Sequence, residues 1–451
     1  MKTLDSSQKV AVFNILKMID DEKAIISSLY GGPGVGKSYT TGRLIKYLVK
    51  TKKMSVMLCA PTNKALKISI ANLKGEVDIE RPVPIFTVKY WSGKSVVVGT
   101  IAQMLGIAPD YVDDEGNTKF GAGGQAILEN KTPHILVIDE ISMVSRESLI
   151  KLYKMAKEYG FKIIIVGDPF QLAPVKQEPI DLDNIPSRNV LTVAQRNTNI
   201  EYLAMLNDVR LNGADSIKPI DDAVFKVDNA SEAFIEAVVQ PESGVCAETE
   251  LGMDVFIGYT NKVVNHVLDN ACMKLYGHDR FGLEKGQIVI CTATLADGAI
   301  NNFDYIEVVE KTDVWNETFG YQLTIKSESG VILYDVFYHP SADDPESKYQ
   351  VELKKALREA RALQKKSSEY KKIGDYAAAR GMEEERKSAW RDYFDIDNAI
   401  LKFAHPFAMT SHKSQGSTFR DVYMDVGDFT GYAVNAAYVA ASRNKGKLIY
   451  S

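Results

Sequence analysis

Apolar positions along this chain fall into two alternating patterns. Short apolar runs recur at Ala24–Tyr30, Val56–Ala60, Ile135–Asp139, Lys162–Gly167, Val255–Tyr259, Val422–Asp425 and Lys447–Tyr450. Between them, apolar residues take the spacing of one helical face, as in Tyr39–Val49. Strands alternating with helices predict an α/β fold with parallel sheets. Runs such as Ile163-Ile164-Ile165-Val166 contain no polar position, as suits strands covered on both faces.

Three stretches depart from that alternation. Within 106–127, Tyr111–Phe120 reads as two short strands around an acidic, Gly-containing turn, a hairpin. Residues 286–340 are rich in β-branched and aromatic side chains with turn breaks, which predicts a small antiparallel β module. Residues 346–394 are strongly charged, with Leu353, Ala356, Leu357, Ala360 and Leu363 at helical spacing, and likewise Tyr376, Ala379, Met382, Arg386, Ala389 and Tyr393. Two amphipathic helices turning near Ile373-Gly374-Asp375 are the simplest account.

The 451 residues suffice for two or more domains. A hydrophobic content of 45% with 25% charged residues is that of a globular chain. No apolar run reaches the roughly 20 residues of a membrane span. Met1–Gln8 lacks the apolar segment of a secretion signal. Cys59, Cys246, Cys272 and Cys291 form no C-x-x-C pair, which speaks against a zinc ribbon and fits a reducing cytoplasm. The net charge of −5 gives no global attraction to nucleic acid, so any nucleic-acid track must be a local basic groove.

The chemistry is concentrated at the ends of the apolar runs. Gly31-Gly32-Pro33-Gly34-Val35-Gly36-Lys37-Ser38 follows a strand and opens a helix, the context of a phosphate-binding loop. Its glycines let backbone N–H groups approach phosphate, and the helix start favours an anion. Lys37 would reach the β- and γ-phosphates of ATP, and Ser38 would hold Mg²⁺. Ile135–Ile138 ends in Asp139 and Glu140; Asp139 would position Mg²⁺ and Glu140 would polarise the attacking water. Gly167-Asp168-Pro169-Phe170-Gln171 ends another strand, and Gln171 would sense the γ-phosphate.

Six motifs in order carry a family resemblance: G-G-P-G-V-G-K-S, A-P-T-N-K-A, V-I-D-E-I-S-M, G-D-P-F-Q-L-A-P-V, H-K-S-Q-G and Y-V-A-A-S-R. The set resembles superfamily 1 DNA helicases, in particular the RecD-like (1B) branch and its compact phage Dda type. The resemblance spans nearly the whole chain. It implies two RecA-like P-loop motor domains, 1–190 and 191–285 plus 406–451. It further implies a β-hairpin pin insertion at about 84–127, and an SH3-like β module at 286–405 carrying the helical hairpin 346–394. Gln8 is similar to the family's adenine-reading glutamine, with Tyr39 beside the loop. Arg196 and Arg443 resemble two arginines that close on the γ-phosphate, a task suited to a permanently charged, forked guanidinium. Gln415 and Gly416 would couple the ATP site to the DNA track.

The resemblance also implies DNA contacts at Pro61, Thr62, Asn63, Lys64, Thr100, Thr410 and His412. Two positions depart from the family pattern: Ala102 stands where many relatives have His, and Ser442 where Thr is usual. Phe86, Tyr90 and Trp91, near Lys89 and Lys94, are candidate stacking residues for single strands. Phe120 or Tyr111 at the hairpin could stack on the last base pair. The expected activity is ATP-dependent unwinding of duplex DNA by a monomer moving 5′→3′ on single-stranded DNA, with single-strand/duplex junctions as substrate. Phage replication or recombination is the expected setting, in the host cytoplasm, and single-strand-binding or replication proteins are candidate partners. A translocase that strips proteins from single strands, and an ATP-regulated nucleic-acid-binding scaffold, are the alternatives; 3′→5′ or two-way movement stays open.

Overall fold

Alternate residues of each unbroken apolar run supply the two faces of one sheet. In the computed structural model, Leu29, Leu58, Val137 and Ile164 enter one core, while Tyr30, Cys59, Leu136 and Ile163 enter the core on the opposite face. Residues 4–451 are described, apart from 72, 74–76, 81–94, 116–117, 123–125, 131, 175–176, 183–184, 196–198, 241–251, 296–298 and 432. Phe86, Tyr90, Trp91, Lys89, Lys94, Arg196 and Cys246 therefore lie outside the described residues.

The first sheet contains β1 (Ile26–Gly31), β2 (Val56–Ala60), β3 (Asp78–Glu80) and β4 (Ser95–Thr100). A hairpin of β5 (Ile107–Val112) and β6 (Thr118–Ala122) follows. The sheet is then completed by β7 (Ile135–Ile138), β8 (Lys162–Gly167) and β9 (Arg188–Leu191). Its order is β3-β4-β2-β7-β8-β1-β9, parallel throughout. β4 corrects the expected pin insertion: part of 84–127 is a sheet strand, held against β2 from Val56↔Val96 to Ala60↔Thr100.

A second parallel sheet contains β10 (Val224–Lys226) and β11 (Val255–Gly258). The chain then leaves to form β12 (Ile288–Cys291), β13 (Tyr305–Asn316), β14 (Gly320–Ser327) and β15 (Ile332–Tyr338). After the helices it returns through β16 (Phe403–Ala404), β17 (Ala408–Thr410), β18 (Val422–Met424) and β19 (Leu448–Tyr450). The second sheet runs β10-β19-β18-β11-β17, and the antiparallel sheet runs β15-β14-β13-β12-β16. β11 and β17 are neighbours, so the whole antiparallel insertion starts and ends at adjacent strands.

The charged stretch forms the helix Lys348–Lys372, followed by Tyr376–Gly381 and Glu383–Asp397. The expected second helix is thus in two pieces, broken where the Met382 N–H caps the first piece through the carbonyls of Ala378 and Arg380. These helices dock on the hairpin. Tyr111 lies 6.2 Å from Trp390 by ring centroid, and both join a cluster with Val112 and Ala360. The Arg386 guanidinium, nearly buried, donates to Asp110 at 3.0 Å, to Gln364 at 2.9 Å and to Glu383 at 2.8 Å. A buried guanidinium holds only with its donors matched, as they are here. No helix among the described residues is long and apolar enough to cross a membrane.

Candidate active site

Ligands of open α/β sheets bind beyond the carboxyl ends of the strands. There, a cleft of about 350 Å³ lies between the two parallel sheets. The first sheet contributes Gly34, Gly36, Lys37 and Ser38 after β1, Asp139 and Glu140 after β7, and Gln171 after β8. The second contributes Gly416 and Arg443. Pro33 and Tyr39 line the same cleft. Gly32 and Val35 instead border a separate cavity of about 320 Å³, which Pro33 shares.

The loop is built for close approach. Gly36 has φ +85°, and a Cβ there would meet the Gln8 amide at 2.6 Å. Gln8 caps the first helix: its Oε1 accepts the Asp5 N–H at 3.1 Å, and its Nε2 donates to Val35 O at 3.4 Å. It therefore sits beneath the loop, with its amide engaged by the chain. The Lys37 ammonium donates to the carbonyls of Gly31 at 2.8 Å and Gly32 at 3.0 Å. Burial pushes its pKa below the ordinary value, against the pull of Asp168, Glu140 and Asp139.

Asp139 accepts the Ser69 hydroxyl and, at 2.9 Å, the Glu140 N–H. Burial pushes its pKa up. Glu140 is pushed up by burial and then by the Asp139 charge, and its Oε2 has no partner. Its backbone is left-handed, φ +51°, a conformation rare for a non-glycine residue and common at functional sites. Gln171 is buried with an unpartnered Oε1. A hydroxyl and a carboxylate facing one cleft are hard oxygen donors of the kind that hold Mg²⁺ beside phosphates. Ser38 and Asp139 thus fit that ion.

Arg443 is buried, which pushes its pKa down, with Glu140, Tyr438 and Asp168 acting against this. Its Nε donates to Val439 O at 3.0 Å and its Nη2 to the Ser442 hydroxyl at 3.0 Å. Ser442, where Thr is usual in the resembling family, keeps the hydroxyl that aims this guanidinium. Three contributors carried no assignment from the sequence. Gln195 lines the cleft, with its N–H donating to Gly34 O at 2.7 Å. Tyr438 donates to Asp168 at 3.0 Å across the two lobes. Ser69 orients Asp139. Tyr438 and Asp168 stood inside quoted motifs, but only their pairing across the fold shows what they do.

The residues expected on DNA fall in four places. Thr62, Lys64, His412 and Gln415 share a slot of about 190 Å³ that also reaches Glu140. Gln415 is buried, and both its amide atoms lack a partner. Lys64 and Thr410 also border a cavity of about 450 Å³ between the second and antiparallel sheets. Lys64 is buried and donates to Lys413 O at 3.0 Å, so it joins the lobes rather than standing free as a groove cation. Pro61 and Asn63 flank Thr62, whose hydroxyl accepts the Ala65 N–H at 3.2 Å. Thr100 stands apart, capping a short helix by accepting the Gln103 N–H at 3.3 Å. At the hairpin, Tyr111 is engaged by Trp390, whereas Phe120 is 60% exposed.

Two parallel sheets meeting across a phosphate-loop cleft, with an arginine supplied by the second, define a two-lobed P-loop fold. Residues 15–177 match the AAA domain family, and residues 405–450 match the UvrD-like helicase C-terminal domain. The ATP-dependent DNA helicase dda of Enterobacteria phage T4 is 23% identical over 92% of this chain and 90% of its own length. The RecBCD enzyme subunit RecD of Mycobacterium tuberculosis is 30% identical, over 47% of this chain and 35% of that protein. The first six curated relatives are spanned over only 26% to 40% of their length. In fold, the chain is similar to the Pif1 helicase from Bacteroides in complex with ADP-AlF3 and ssDNA. The TM-score is 0.52 and the identity 15%, with 100% of this chain and 92% of that one covered. By these matches the chain is similar to helicases of the RecD, dda and Pif1 kinds.

Proposed function

We propose that this protein is an ATP-dependent DNA helicase that moves along single-stranded DNA and splits duplex at a junction. The observation that carries this reading is the shared cleft: Lys37, Asp139, Glu140 and Gln171 from one sheet face Arg443 and Gly416 from the other. Such a site changes shape with its nucleotide, because each lobe holds part of it. Lys37 exchanges its carbonyl partners for phosphate oxygens, and Arg443 closes on the γ-phosphate, with Arg196 as its expected companion. Glu140 takes the proton of the attacking water, and Gln171 senses the γ-phosphate. Mg²⁺, held by Ser38 and Asp139, supplies charge neutralisation for the phosphates when bound.

Gln415, between Glu140 and the Thr62–His412 slot, links the nucleotide to the track. The domain reading follows the sheets: 1–190 is the first motor domain, 191–285 with 406–451 the second, and 286–405 an SH3-like module. β5 and β6 form the pin. Phe120 is the stacking aromatic, since Tyr111 is committed to Trp390. The direction is 5′→3′, the protein acts as a monomer in the cytoplasm, and phage replication or recombination is its setting. Unwinding of forked, 5′-tailed and 3′-tailed duplexes with ATP, beside a Lys37→Ala control, tests this. Unwinding of only the forked and 5′-tailed substrates supports it. Unwinding of 3′-tailed duplex overturns the direction, and hydrolysis without unwinding overturns the helicase reading in favour of a translocase.

A further inference from the structure

Phe303 sits at the junction of all three sheets, in a turn ahead of β13. Its backbone is left-handed at φ +71°, which a bulky side chain adopts only when its surroundings impose it. Those surroundings are specific. The Phe303 N–H donates to Cys291 O at 2.7 Å, and the Cys291 N–H donates to Asp304 O at 2.8 Å. The ring packs against Ile288, Ile290 and Tyr305. The same ring borders both cavities at the lobe boundary, beside Thr62, Lys64, His412 and Lys413.

The turn is also fastened from the first lobe. Lys67, on the helix Asn63–Ala71 that begins directly after Pro61 and Thr62, pairs with both Asp304 and Glu328. It reaches the Phe303 carbonyl at 3.5 Å as well. The three charged side chains are 14%, 5% and 13% exposed, so the pairing is shielded from solvent and salt. An aromatic used only for packing would be enclosed by apolar neighbours. This one is only partly buried and lines two largely apolar cavities that Lys64 and Lys413 also border, as suits an aromatic platform for a base.

We propose that Phe303 stacks on one base of single-stranded DNA where the two motor lobes meet, and that Lys67 is the positioning residue that fixes the ring there. This rests on the motor reading above and adds a contact from the antiparallel module. The test is binding of a fluorescein-labelled oligothymidylate to the full chain by anisotropy. Phe303→Ala is expected to weaken binding about tenfold, Phe303→Leu equally, and Phe303→Trp hardly at all. In Phe303→Trp, added oligonucleotide should quench fluorescence beyond the change seen in the parent protein, and Lys67→Met in that background should remove the extra quenching. Unchanged binding by Phe303→Ala while the parent protein binds overturns this proposal alone. So does full binding by Phe303→Leu, which assigns the ring to packing. A parent protein that does not bind the oligonucleotide overturns the motor reading together with it.

Discussion

Glu140 combines a left-handed backbone, burial and the adjacent Asp139 charge, and each of these disfavours its ionised form or its conformation. Its folded pKa lies above the ordinary carboxylate value, so the folded state keeps the proton to higher pH than the unfolded chain. Stability from this group is therefore present at low pH and is lost as pH rises through the ordinary range toward the raised value. At neutral pH, Glu140→Gln removes that cost. Urea unfolding of the nucleotide-free protein should show a gain of about 1 kcal/mol, while steady-state hydrolysis falls about 100-fold or more. Retained hydrolysis would take Glu140 out of the chemistry. His405 works in the opposite sense. Burial, with the His278 charge adding, holds it down to about 4 from 6.5. Its Nε2 faces the Arg280 carbonyl at 3.2 Å, and its Nδ1 has no partner. The folded state binds its proton later than the unfolded chain as pH falls. Stability present above pH 6.5 is lost between 6.5 and about 4, by up to about 3 kcal/mol. His405→Phe should flatten the fall across that window, whatever its effect at neutral pH; an unaltered pH profile would place the loss elsewhere.

At the scale of elements, the hairpin owes its position to the helices docked on it. Trp390 is buried against Tyr111, Tyr393 and Phe394. Trp390→Ala should cost about 3 kcal/mol and release the hairpin, so that unwinding falls while single-strand-stimulated hydrolysis continues. Phe120→Ala should produce the same split without the stability loss, and intact unwinding by both variants would show that the hairpin is not the wedge. Much of this architecture was legible in local pattern. The runs at Val56–Ala60 and Lys162–Gly167 were bounded to the residue, and the Tyr111–Phe120 hairpin was read from its turn. β4 carries an equally plain Val96-Val97-Val98 run, but its place lies in a region otherwise assigned to an insertion. β17 is three residues long, too short for a period to show. The helix ending at Gly381 was hidden because helical spacing continues across the break. The site was legible where one loop supplies it, as at Gly31–Ser38. It was not legible where partners lie far apart, as with Tyr438 and Asp168 or Lys67 and Asp304, because local pattern carries no record of tertiary pairing.

For the whole molecule, a net charge of −5 leaves strand binding to a few placed groups. Oligonucleotide affinity should therefore drop about tenfold or more over about a fourfold rise in salt, in the linear logarithmic way of counterion release. A flat response would mean that stacking, not phosphate contact, dominates. The insertion that leaves β11 and returns at β17 has a mechanical consequence. It is anchored on the second sheet, yet it touches the first lobe twice more, through Lys67 and through the hairpin beneath Trp390 and Arg386. The chain is thus a closed linkage, with the nucleotide cleft as one joint and these contacts as the others. A closed linkage has no free hinge: any change in the width of the cleft must be taken up as sliding or rupture at a distant joint.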